Sequence, residues 1–160
     1  MRRVMVICVG KLKERFYQEA AAEYCKRLGR YCRLEVAELP EQRLSEAPSP
    51  AEIEQALAKE AEMIRSRAPA GASLAALCVE GVQRSSEEFS QLLGSWDQLG
   101  EKALVFVIGG SYGLHASLKK EAWARLSLSR MTFPHHLARV MVLEQIYRGY
   151  QILEGGKYHK

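Results

Sequence analysis

The stretch whose reading decides the fold is FVIGGSYGLH, Phe106–His115. An apolar run ends in two glycines, a serine, a tyrosine and a third glycine. Glycine accepts positive φ and lets backbone approach another group closely. Gly109–Gly113 is therefore either a tight turn or a loop shaped around a ligand. The run before it, Ala103–Ile108, is apolar without alternation, as in a parallel strand buried on both faces.

Working outward, the same pattern recurs. Arg3–Val9, Leu34–Leu39 and Leu74–Val79 read as strands, the last ended by Gly81, and Leu126–Phe133 as a fifth, weaker one. Helical patterns lie between them. Glu14–Leu28 carries Phe16, Ala20, Tyr24 and Leu28 on one face, with Gly29 as its stop. Ser49-Pro50-Ala51-Glu52 and Ser85-Ser86-Glu87-Glu88 are capping boxes, predicting helices to about Arg65 and Leu99, the second closed by Gly100. A short helix over Ala116–Trp123 and a long one over His136–Leu153 complete a βαβαβαβαβα order. Such alternation predicts an α/β fold, a mostly parallel sheet covered on both faces.

The length of 160 residues suits one domain, and 48% hydrophobic content suffices for a core. No apolar run is long enough to span a membrane. The start, MRRVMVICVG, is too short and too soon followed by Lys11 for a secretory signal, and reads as the first strand. Cys8, Cys25, Cys32 and Cys78 form no Cys-x-x-Cys pair, and no histidine completes a zinc site. The expectation is a reduced, cytoplasmic chain with neither disulfide nor metal. A net charge of +4 permits a polyanionic partner, and basic residues gather at Lys11, Lys13, Arg15 and onward to Arg33, with Lys157, His159 and Lys160 at the other end.

The last helix is apolar around most of its circumference, from Leu137 to Leu153. A helix on one sheet face needs only a stripe. A second copy of the chain is the economical source of a second burial surface.

The glycine loop matches neither the dinucleotide fingerprint nor the P-loop, and no lysine stands in it for a phosphate. Ligands of open parallel sheets bind beyond the carboxyl ends of the strands. Two further segments lie at such ends: Leu77–Gly81, and Ser129–His136, which leads into the last helix. Together the three can form a crevice for a flat neutral base, held by backbone groups and apolar walls.

Four segments, VICVGKLKERF, FVIGGSYGL, LSLSRMTFPHHLARVMVLEQIYRGYQI and the terminal YHK, resemble the SPOUT methyltransferases, specifically the ribosomal RNA large-subunit methyltransferase H family. The resemblance runs in order over essentially the whole chain. It implies a single domain over 1–160 whose cofactor-binding half, about 73–160, carries a trefoil knot, a rare exception to unknotted topology. It implies a homodimer, S-adenosylmethionine as methyl donor, and N3 of a pseudouridine in the intersubunit stem-loop of 23S ribosomal RNA as acceptor, methylated on the assembled 70S ribosome. It implies cofactor contacts at Leu77, Gly109, Leu128, Ser129, Arg130, Met131, Thr132 and Phe133. On this reading Gly109 approaches the donor while Tyr112 does not, and a side chain at Gly109 damages cofactor binding before the fold.

Candidates for catalysis are Arg148, Tyr158 and His159. Arg148 stands four residues after Glu144, so it reads as a helix ion pair or as an interface arginine that orients the base. Tyr158 and His159 read as a frayed end or as a tail that closes over the pocket, tyrosine stacking and histidine taking a proton. His135 reads as a cap or core contact. Arg139 reads as a phosphate ligand or an exposed helix charge. Lys11, Lys13, Arg15, Arg139 and Lys160 are the candidate RNA contacts. A noncatalytic ribosome- or RNA-binding factor and a small-molecule-binding regulator are the competing classes.

Overall fold

The computed structural model describes residues 1–156. Tyr158, His159 and Lys160 therefore lie outside the described residues. The elements are β1 (Arg2–Val9), α1 (Arg15–Leu28), β2 (Cys32–Leu39), α2 (Pro50–Arg67), β3 (Ser73–Gln83), α3 (Ser86–Leu99), β4 (Leu104–Ile108), α4 (Ala116–Glu121), β5 (Ala124–Ser127) and α5 (His135–Leu153). All strand pairs are parallel, in the order β2-β1-β4-β3-β5.

The unbroken apolar runs of β1 and β4 follow from their central places. Alternate residues of each feed opposite cores. Val4, Val6, Cys8 and Phe106 face Leu28, Leu93, Leu143 and Ile146, from α1, α3 and α5. Met5, Ile7, Val105 and Val107 face Ile64 and Leu118, from α2 and α4. The sheet is covered on both sides, as the alternation of elements requires.

Both capping boxes form. The Ser49 and Ser85 hydroxyls each accept from the backbone amide three residues on, and Glu52 and Glu88 reach back to the cap amides. Because α3 packs on the core through Leu93 and Trp96, Ser85→Ala is expected to lower unfolding free energy by about 1 kcal/mol in a denaturant titration.

Several details depart from the sequence reading. Gly81 does not end β3. The strand leaves its ladder after Leu77 and rejoins at Val82, both opposite Leu126 of β5. Gly81 lies so close to β5 that a Cβ would stand 2.8 Å from the Leu126 carbonyl carbon. The fifth strand stops at Ser127, and residues 128–134 form a loop. Gly29 keeps right-handed helical geometry, φ −55°, whereas Gly100 caps α3 in the left-handed region, φ 69°. Phe16 does not join the core face of α1: it is 64% exposed.

The apolar girth of α5 is explained in part within one chain. The helix sits between α1 and α3, so Val140 and Tyr147 pack on the core beside its buried stripe of Val142, Leu143, Ile146 and Tyr150. Among the described residues, no helix is long and apolar enough to cross a membrane.

Candidate functional site

The strand order places β4, β3 and β5 side by side, so the loops leaving their carboxyl ends share one crevice. Its volume is about 630 Å³, within the range of small-molecule sites, roughly 300–1,000 Å³. Leu77, Gly109, Leu128, Ser129, Met131, Thr132 and Phe133 all line it. Arg130 does not; it is exposed beside the cavity. Tyr112, expected to stand away from the donor, is also on the wall.

The glycine loop is a turn closed on itself. The Gly113 amide donates to the Gly110 carbonyl at 3.1 Å, and Gly113 has φ +79°. Gly109 lies against the returning strand of that turn. A Cβ there would be 2.3 Å from the Gly113 carbonyl oxygen and 2.5 Å from its carbon. Glycine at 109 is thus required by the loop's own backbone. This overturns the expectation that a side chain there harms ligand binding before the fold.

A second group holds the turn from outside. The Glu41 carboxylate, just past β2, accepts from the Ser111 amide at 2.8 Å. It lies so near Gly110 that a Cβ there would be 2.5 Å from its Oε1. The segment carrying Glu41 is itself pinned: the Gln42 amide donates to Glu60 Oε2 at 2.8 Å. Glu60 is a buried residue of α2, and burial raises its pKa above the usual carboxylate range.

The 128–134 loop is held by serines. The Ser127 hydroxyl donates to the Ser129 carbonyl at 3.0 Å, and the Met131 amide donates to Ser129 Oγ at 3.0 Å. Among the described residues, no backbone–backbone hydrogen bond ties residues 129–133 to the rest of the chain. Ser129, Met131, Thr132 and Phe133 of this loop line a cavity with apolar walls at Leu77, Ile108, Leu126 and Phe133. Such a surface suits a flat, weakly polar heterocycle recognised along its edge.

Two charged groups that the sequence did not reveal stand on the wall. Glu80, in the excursion of β3, pairs with Lys119 of α4 at 2.5 Å. The Lys119 hydrogen bond is the main reason Glu80 sits below the ordinary carboxylate pKa. A weak signal existed for Glu80 alone, which stands next to Gly81.

His135 and His136 also line the cavity. His135 makes no cap bond. Its ring packs on Gly10, where a Cβ would be 2.9 Å from Cε1, but it is half-buried on the cavity wall and belongs to neither core cluster. Burial first, then the neighbouring His136, lowers its pKa below the usual imidazole value.

Arg139 is corrected. Its side chain is 3% exposed, so it is neither an exposed helix charge nor open to a phosphate. Nη1 donates to Glu38 Oε2 at 2.6 Å and Nη2 to the Gly10 carbonyl at 3.0 Å. Lys11, Lys13 and Arg15 are exposed at the carboxyl end of β1, on the same edge of the sheet as the cavity. Arg148 donates to Glu144 Oε1 through Nη2 at 2.6 Å and Nε at 2.9 Å, the ion pair its spacing suggested. It does not line the cavity. The helix rise sets it about 20 Å along α5 from His135. Among the described residues, no group of three or more His, Cys, Asp or Glu is placed to hold a metal ion.

Fold and crevice together describe a parallel α/β protein with a cavity of small-molecule size bordered by three strand-end loops. The family model described as "Predicted SPOUT methyltransferase" matches residues 2–159. The chain belongs to the SPOUT methyltransferase family, and is an enzyme of that class. It is 46% identical over 157 residues to the ribosomal RNA large subunit methyltransferase H of Caldicellulosiruptor saccharolyticus, covering 98% of this chain and 99% of that protein. Proteins of the same name from Limosilactobacillus reuteri and Streptococcus uberis are each 43% identical, over 157 and 158 residues, with 98% and 99% of this chain and 99% of each relative covered. A solved structure of a probable methylase family protein from Haemophilus influenzae superposes with a TM-score of 0.53 at 11% identity. It covers 99% of this chain and 71% of that one, a likeness of fold alone.

Proposed function

We propose that this enzyme methylates N3 of a pseudouridine in the intersubunit stem-loop of 23S ribosomal RNA, with S-adenosylmethionine as donor, on assembled ribosomes in the cytoplasm. The observation that carries the reading is the 43–46% identity, over nearly the whole chain, to proteins named ribosomal RNA large subunit methyltransferase H.

The residues present fit the cofactor. Leu77 and Leu128 offer apolar contact for an adenine, and the backbone of residues 129–133 offers donors and acceptors for its edge. The Gly109–Gly113 turn brings backbone to the cavity at its three glycines, with Ser111 and Tyr112 also on the wall. When bound, S-adenosylmethionine supplies an electrophilic methyl group on a sulfonium. The chain's task is to place N3 in line with that methyl carbon, exclude water and remove the N3 proton. We assign proton acceptance to His159, stacking on the base to Tyr158, and orientation of the base to Arg148. Because Arg148 lies about 15 Å along α5 from Ala138, the last residue of that helix on the cavity wall, it serves this role from a second copy of the chain. On this reading the active form is a homodimer with α5 at the interface; the knot in the C-terminal half is a separate expectation from the family. Lys11, Lys13, Arg15 and Lys160 take RNA phosphates.

The test is transfer of tritiated methyl from S-adenosylmethionine to ribosomes from cells lacking the enzyme, compared with free large subunits and naked RNA. Transfer to intact ribosomes above both others is the expected result. No saturable S-adenosylmethionine binding in a calorimetric titration overturns the reading; cofactor binding without transfer points to a noncatalytic ribosome-binding factor. The same titration examines the Glu41 clamp. Glu41→Ala frees the Ser111 amide and is expected to weaken S-adenosylmethionine binding about fivefold, with Glu41→Gln restoring most of it.

A further inference from the structure

A continuous aromatic path leads from the surface to the cavity. Phe16 and Tyr17, at the start of α1, have ring centroids 4.4 Å apart. Tyr17 stacks on His136 at 6.0 Å and 19°, and His136 meets His135 at 3.8 Å. The inner end is on the cavity wall. The outer end, Phe16, is 64% exposed. A single exposed apolar residue needs no explanation. A row of four rings, half-buried at the cavity wall and open at the far end, does.

Charges of both signs flank the row: Glu14 and Glu41 act on His135 at its inner end, and two lysines precede it. Lys11 and Lys13 stand exposed in the loop that precedes it and, among the described residues, make no side-chain hydrogen bond or ion pair. An apolar protein surface laid on Phe16 would desolvate these lysines, of which Lys11 has only the charge of Glu38 nearby. A polyanion with flat apolar groups satisfies both features at once, because unpaired bases stack on rings while their phosphates meet lysine.

We propose that Phe16, Tyr17 and His136 form a stacking platform for unpaired ribonucleotides next to the target base, with Lys11 and Lys13 on the intervening phosphates. The proposal rests on the reading of RNA as substrate and deepens it. The platform holds the nucleotides flanking the one whose base enters the cavity, and so contributes to substrate binding rather than to the chemical step.

The experiment compares wild type, Phe16→Ala and Phe16→Trp in three measurements: steady-state methyl transfer to ribosomes, S-adenosylmethionine binding, and sedimentation equilibrium. A fourth measurement photo-crosslinks a single-stranded RNA oligonucleotide carrying 4-thiouridine. Phe16→Ala is expected to raise KM for ribosomes about tenfold with kcat and cofactor affinity unchanged, and Phe16→Trp to restore KM. Wild-type kinetics in Phe16→Ala overturn the platform. Dissociation to monomer in Phe16→Ala overturns it in favour of a contact between copies. If the wild type transfers no methyl group, the substrate reading fails and the crosslinks decide: labelling at Phe16 or Tyr17 upholds the platform, and labelling elsewhere or none overturns it.

Discussion

Gly109→Ala is expected to lower the melting temperature by about 6–12 °C, the equivalent of about 3 kcal/mol in a domain of this size. The added methyl carbon would lie 2.3 Å from the Gly113 carbonyl oxygen. The obstacle is backbone, so no rotamer change relieves it. Relief requires the Gly110–Gly113 turn to open, which breaks its 3.1 Å hydrogen bond and shifts the Ser111 amide off Glu41. Loss of S-adenosylmethionine binding should follow from loss of the turn. Gly113→Ala is the control. Gly113 is in the left-handed region at φ +79°, and nothing lies within 4 Å of a Cβ there. Its expected penalty is about 1–2 kcal/mol of backbone strain, with no steric block. Calorimetric unfolding of both variants separates the cases. A Gly109→Ala protein that melts like wild type but fails to bind cofactor would restore the ligand-approach reading of this glycine.

The glycine segment also shows what a sequence can and cannot convey. Its apolar run and turn residues were legible because they are local: a strand buried on both faces shows no alternation, and Gly-Gly-Ser-Tyr-Gly is incompatible with a continuing strand. The convergence of Leu77, the glycine turn and residues 128–133 followed from a general property of parallel sheets, given strands in the right half of the order. The detailed reasons were not legible. Glu41 is seventy residues from Ser111 in the chain, and nothing in its neighbourhood, ELPEQR, distinguishes a clamp from a loop carboxylate. The Glu80–Lys119 pair depends on an excursion of β3 that periodicity reads as a strand end. Phe16 fits a helical stripe by spacing, yet in the first turn of α1 it is left uncovered. In each case the deciding contact is between elements distant in sequence.

Arg139→Met is expected to destabilise the protein by about 3 kcal/mol at pH 7, again about 6–12 °C in melting temperature. A basic residue in a helix of a basic chain reads naturally as a phosphate contact, but its burial makes it part of the frame. The guanidinium joins α5 to the ends of two strands, through Glu38 of β2 and the Gly10 carbonyl after β1. Its removal leaves a carboxylate and a carbonyl without their partner. The lower end of the range for broken buried pairs applies, because the Glu38 side chain is 36% exposed and water screens it. The pH dependence has a definite sign. Burial alone would raise the pKa of Glu38, but hydrogen bonds from Arg139 and the Leu12 amide, with the Arg139 charge, bring it net below the ordinary value. A group whose folded pKa is lowered stabilises fully above its unfolded pKa, about 4.3, and loses that contribution as pH falls through the folded value. The deficit of Arg139→Met relative to wild type should therefore be greatest near neutrality and shrink in acid. Replacing both partners, Arg139→Met with Glu38→Leu, should recover part of the loss, since neither charge is then orphaned. Because Glu38 also accepts from the Leu12 amide at 3.0 Å, the single variant should loosen the Lys11–Lys13 loop and weaken RNA binding more than cofactor binding. Melting within about 2 °C of wild type at pH 7 would show that the pair is dispensable to the frame and return Arg139 to the RNA-contact candidates.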